Sequence, residues 1–128
     1  RGTEEFVLEQ AKEIADNCFA SFERYREAGV KFAMGTDTCW HPTFGSNARE
    51  LAIYASLGLT EMEAIQTTTR NAADAIGMLD DLGTVETGKI ADIIAVDGNP
   101  LDDISYLQEM TRIKLVMKEG EVAVNRLA

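Results

Sequence analysis

The chain is short of the residues from which self-contained metal and redox centres are built. It has one histidine, His41, one tryptophan, Trp40, and two cysteines, Cys18 and Cys39. The absence of a CxxC pair and of a second histidine argues against a zinc finger. Two widely spaced thiols also make no disulfide scaffold, which favours a reducing, cytoplasmic setting. Nothing approaches the roughly 18 consecutive apolar residues of a membrane span. A secretory leader would be basic and then continuously apolar, whereas this chain opens RGTEEFVLEQAKEIAD, acidic and amphipathic. Glycine-rich phosphate loops are missing too: Gly83, Gly88 and Gly98 read as turn glycines, none placed between a strand and a helix. Positive charge is scarce. Twelve basic residues face 22 acidic ones, a formal net charge of −10 spread without an acidic tail. Such a field repels phosphate backbones, so nucleic acid is not an expected partner.

What is present suits a globular protein. At 128 residues the chain is long enough for one domain with a real core. Residues 3 to 28 predict one long helix, because Val7, Ala11, Ile14, Cys18, Phe22 and Tyr25 recur at three- and four-residue steps. Gly29 stands where a helix C-terminal glycine belongs. A short apolar run, Val30 to Met34, predicts a strand, and the loop TDTCWHPTFGSN after it is long by ordinary standards. Asn47 with Glu50 suggests a helix start, with the helix ending near Gly58. Thr60-Glu61-Met62-Glu63 is a clearer capping box, and Asn71 is expected to cap a short helix ended by Gly77. After residue 80 the texture changes. IADIIAV reads as a strand, DGNP as a turn, and Ile113 to Met117 with Glu121 to Val124 as a hairpin.

The chemistry concentrates in GVKFAMGTDTCWH, residues 29 to 41. A carboxylate at the C-terminal end of a strand is where α/β barrels place catalytic groups, and Asp37 holds that position. The bland alternative is that Asp37 caps the turn through neighbouring amides. His41 reads as a metal ligand, a substrate contact or an ordinary loop residue. Cys39 has no base partner except His41, two residues away, so a bystander thiol fits it better than a nucleophile. Asp37, Cys39 and His41 together would give poor tetrahedral spread for a metal, being confined to five residues of one loop. A complete site is not expected from this segment.

Three stretches in order carry a resemblance: GVKFAMGTD, then ELAIYASLGLTEMEAIQTTTRNAADAIGMLDDLGTVETGKIADIIAVDGNPLDDI, then KLVMKEGEVAV. Together they resemble the C-terminal portion of the amidohydrolase superfamily, nearest to its imidazolonepropionase-like and Xaa-Pro-dipeptidase-like members. The resemblance implies an α/β fold: residues 1–80 as the C-terminal part of a (β/α)₈ TIM barrel, with its last strand and flanking helices, and residues 81–128 as the C-terminal strands of a small β-sandwich. It implies one or two divalent metals, usually zinc, and hydrolysis of a C–N bond in a small amide, lactam or dipeptide-like substrate. Asp37 would be both metal ligand and proton shuttle; His41 stands as a candidate substrate contact on its residue type alone, not through the resemblance. The family's HxH, its lysine or glutamate and its other histidines are absent, and Asn71-Ala72 stands where Asn-Pro is frequent. Because such a barrel takes about 250 residues, the chain is expected to be part of a longer polypeptide beginning upstream of Arg1. On its own it should be inactive, and it should associate with other chains or pack against the missing portion. The rival expectation is a non-catalytic α/β interaction domain on the same scaffold.

Overall fold

A computed structural model of the chain describes residues 2–37 and 44–127. The chain divides into two compact units, Arg1–Lys31 and Phe32–Ala128.

The first unit is helix α1, Gly2–Glu27. Glu4 and Glu5 lie in its first turn and Arg24 and Arg26 in its last, each sign favourable to the helix dipole. Its end is a Schellman motif: the Gly29 amide donates to the Arg26 carbonyl and the Val30 amide to the Tyr25 carbonyl, both at 3.0 Å. Of the apolar positions that predicted the helix, Val7, Ile14 and Tyr25 are all more than half exposed.

In the second unit, α2 (Arg49–Ser56), α3 (Glu61–Thr68) and α4 (Arg70–Ala75) precede a three-stranded antiparallel sheet. The sheet runs β1 (Ile93–Val96), β2 (Ile113–Lys118), β3 (Glu121–Asn125), with β2 central. Ile94 faces Val116, and Val116 faces Val124. The expected capping box opens α3: the Glu63 amide donates to Thr60 Oγ1 at 3.2 Å, and the Thr60 amide donates to Glu63 Oε2 at 2.8 Å. The β2–β3 turn has positive φ at both central residues, 53° at Glu119 and 82° at Gly120, which is the twist-matched two-residue hairpin. Asp92 Oδ1 accepts the Glu119 amide at 2.7 Å, and the Ala91 carbonyl accepts the Gly120 amide at 3.1 Å. The hairpin tip is thereby tied to the residues just before β1.

Four expectations need correction. Residues 30–37 form neither helix nor strand: a strand exists only through ladder partners, and the described residues offer this run none. Asn71 does not cap α4, which begins at Arg70 after Thr69 with no side-chain cap. Asn47 gives no side-chain cap to α2 either; the N-cap is Ala48, and the Asn47 main-chain carbonyl accepts the Glu50 amide. The core is thin for a chain of this length. Its buried apolar members among the described residues are Leu51, Ala64, Ala73 and Ile104, with Met34, Tyr54, Ile65 and Leu107 among those packed around the Leu51–Ala64–Ile104 cluster. Among the described residues there is one open sheet, and neither a closed barrel nor a two-sheet sandwich.

Candidate functional site

Asp37 closes the segment that leaves the core at Met34. It is solvent-exposed and sits in the left-handed region at φ 45°, an uncommon conformation for a side-chain-bearing residue. The segment leading to it is tied at two points to the α3–α4 pair. The Met34 amide donates to the Thr67 carbonyl, and Asn71 Nδ2 donates to the Phe32 carbonyl, both at 2.9 Å. Thr67 is 1 % exposed, and its hydroxyl donates to the Ala64 carbonyl at 2.7 Å. Its main-chain oxygen belongs to the last turn of α3, where helix carbonyls have no intrahelical partner. The break at Thr69 therefore leaves an acceptor facing the approach to Asp37.

A small residue at Gly35 has no steric explanation here, since a Cβ there would meet nothing within 4 Å. Cys39, Trp40 and His41 lie outside the described residues, so the expected substrate contact at His41 has no position to report. Among the described residues no three histidine, cysteine, aspartate or glutamate side chains come together as a metal would need. The described part therefore does not fit a whole metal site. What it offers at the end of the apolar run is a single exposed carboxylate.

A second polar cluster surrounds Lys89. Its ammonium donates to the Leu79 carbonyl at 2.5 Å and to Thr84 Oγ1 at 2.6 Å, with Glu86 Oε1 at 3.8 Å. A hydrogen bond from Thr84 and then the charge of Lys89 hold the Glu86 carboxyl below its ordinary value. The Lys89 side chain is only 12 % exposed, and its contacts fasten the 79–84 turn in place. Gly83 in that turn lies against α4: a Cβ there would come within 2.6 Å of Ala73 Cβ and 2.9 Å of the Thr69 carbonyl. Beside it a cavity of about 470 Å³ is walled by Ala72, Ile76, Val85, Ile90 and Ile93 among others; Asp37 is not among its walls. Around the core cluster, burial and then the Glu50 carboxylate, which accepts from the Tyr54 hydroxyl, push the Tyr54 phenol well above its ordinary value. These groups organise the fold and present nothing reactive. Sequence reasoning missed the Asn71 tie because its partner is 39 residues away. The only local signal was an asparagine at a helix start, which suggested a cap.

The family model for the amidohydrolase family matches residues 8–123. This chain belongs to the amidohydrolase family. It is 36 % identical over 111 residues to ochratoxinase of Aspergillus niger, covering 85 % of this chain and 22 % of that enzyme. It is 34 % identical over 104 residues to imidazolonepropionase of Shouchella clausii, covering 77 % of this chain and 22 % of the relative. Among solved structures, a Xaa-Pro dipeptidase with methionine bound in its active site superposes with a TM-score of 0.75 at 38 % identity, covering 84 % of this chain and 25 % of that one. The chain thus spans about a quarter of the length of the relatives it matches. The helices and small antiparallel sheet correspond to part of a larger amidohydrolase fold.

Proposed function

We propose that this chain is the C-terminal share of a metal-dependent amidohydrolase that hydrolyses a C–N bond in a small amide, lactam or dipeptide-like substrate. Residues 1–80 would supply flanking helices of a (β/α)₈ barrel and the run 30–34, which would become its last strand only when paired with strands of a longer chain, and 81–128 would supply strands to a β-sandwich. One observation carries the reading. The family match spans residues 8–123, and it includes GTD at a position where the chain leaves the core and ends in an exposed carboxylate. The relatives' names, which point to ochratoxin, an imidazolone and Xaa-Pro dipeptides, support the bond class.

A divalent metal, zinc in our reading, would be held mainly by groups elsewhere in a longer chain, with Asp37 as one ligand. When bound it supplies the charge that makes water acidic enough to attack near neutral pH. Asp37 accepts the proton of the attacking water and returns it to the departing nitrogen, so both halves of the transfer use one carboxylate. His41 would lie close enough in sequence to contact the substrate. The test is Asp37→Asn in the full-length protein, assayed on Xaa-Pro dipeptides and N-acyl amino acids. General acid–base catalysis is worth about 10² to 10⁴ in rate, so kcat should fall by that much while part of the metal is retained. A variant with near-normal kcat refutes the assigned role. A metal-loaded parent that hydrolyses no amide would favour the non-catalytic alternative.

A further inference from the structure

The ties on either side of Ala33 have a bearing on catalysis. Asn71 reaches from the first turn of α4 across to the Phe32 carbonyl, and the Thr67 carbonyl takes the Met34 amide two residues further on. Together these fix the direction in which the main chain emerges towards Asp37. Met34 adds a side-chain anchor, packed against the Leu51–Ala64–Ile104 cluster. Past Met34 no described backbone hydrogen bond holds Gly35, Thr36 or Asp37. Among the described residues, the hydrogen bonds nearest to the carboxylate along the chain are those at residues 32–34.

We propose that Asn71 is a positioning residue for Asp37. Its carboxamide, with the Thr67 main-chain carbonyl at the C-terminal end of α3, clamps the approach segment, so that the carboxylate is presented at a fixed height above the α3–α4 break. The proposal rests on the catalytic reading of Asp37 and adds to it. It also accounts for the break itself. A continuous helix through Thr69 would occupy the Thr67 carbonyl with its own ladder, and the Met34 amide would lose its acceptor.

Asn71→Asp keeps the shape of the side chain but replaces the donor with a carboxylate oxygen facing a carbonyl. Displacements near 1 Å can cost about 100-fold in rate, so in the full-length, metal-loaded protein kcat on an Xaa-Pro dipeptide should fall about 10- to 100-fold, with KM within about twofold. Asn71→Gln, which keeps the N–H₂ one methylene further out, should recover part of the loss. Amide hydrogen exchange should quicken at Met34, whose amide donates to the Thr67 carbonyl, by about tenfold or more, while Leu51 and Ala64 keep the parent rates; that pattern is a local loosening and not general destabilisation. If Asn71→Asp does not fold, Asn71→Ser, which leaves no carboxylate against the Phe32 carbonyl, carries the same expectations. Unchanged exchange at Met34 overturns the proposal. So does kcat within twofold of the parent, or a loss fully explained by the unfolded fraction. Asp37→Asn is run beside these variants: if it is inactive while Asn71→Asp is fully active, only the positioning role fails. An active Asp37→Asn removes the catalytic reading and this proposal with it.

Discussion

Replacing Gly83 by alanine tests how closely the 79–84 turn is fitted to α4. Two costs add. At φ 86° an alanine takes a left-handed conformation, worth about 1–2 kcal/mol. The new methyl would also stand 2.6 Å from Ala73 Cβ, 2.9 Å from the Thr69 carbonyl and 3.1 Å from Arg70 Cα. Two of those three atoms are main chain and cannot rotate aside, so the turn or α4 must move, at a cost of about 1–3 kcal/mol typical of overpacking. The total is about 2–5 kcal/mol. Gly88→Ala is the control, because Gly88 has a similar φ of 92° but open space around its missing Cβ. It should cost only the backbone share. The full-length protein should have a urea slope above the roughly 1–3 kcal/mol per M of small proteins, so the two midpoints should differ by less than about 1 M, with Gly83→Ala the lower. Adding Ala73→Gly should recover some of the Gly83→Ala loss but not all, since the Thr69 carbonyl remains. The measurement is urea unfolding of the full-length protein, followed by circular dichroism. Equal midpoints for Gly83→Ala and Gly88→Ala would refute the reasoning.

Two further outcomes are expected. Glu119 occupies a positive-φ position with a residue poorly suited to it, so Glu119→Asn should raise stability by about 0.5–1 kcal/mol. Asp92→Ala, which removes the acceptor of the Glu119 amide, should lower stability by about 1 kcal/mol, and thermal melts of both variants check the pair. The Glu86 carboxyl is held below its ordinary value of 4.5, first by the Thr84 hydrogen bond and then by Lys89. A depressed folded-state value stabilises the fold above the unfolded-state value, and that contribution disappears as pH falls through the folded one. Unfolding midpoints should therefore drop as pH is lowered below about 4.5, and Glu86→Gln should flatten that part of the profile.

Legibility in the sequence followed locality. The long helix, the Thr60–Glu63 capping box and the β2–β3 hairpin depend on contacts a few residues apart, and all three form as the spacing predicts. The run Val30 to Met34 has the composition of a strand but no ladder partner among the described residues, because strand identity is decided by neighbours distant in sequence. The role of Asn71 is hidden for the same reason: a cap and a long-range tie use the same carboxamide, and only the fold says which carbonyl or amide lies opposite. Gly83 reads as a turn glycine, and its positive φ agrees; the wall of α4 beside it leaves no mark in the local pattern. Asp37 can be singled out from the end of an apolar run, whereas the elements that hold it cannot.

The tie between the hairpin tip and the residues before β1 also bears on the order in which the sheet assembles. The β2–β3 pair closes over a two-residue turn, a step of about 1–10 μs for isolated hairpins. Joining β1 requires the intervening excursion, with its 3₁₀ segment Ile104–Gln108, to be drawn closed, and loop-closure entropy rises with the length enclosed. The hairpin is thus the early template and β1 the late arrival. Asp92 and Ala91 can engage Glu119 and Gly120 only once β1 has docked in register. The latch therefore belongs to the unfolding side of the barrier: weakening it should hasten departure from the native state and leave the rate of arrival nearly unchanged.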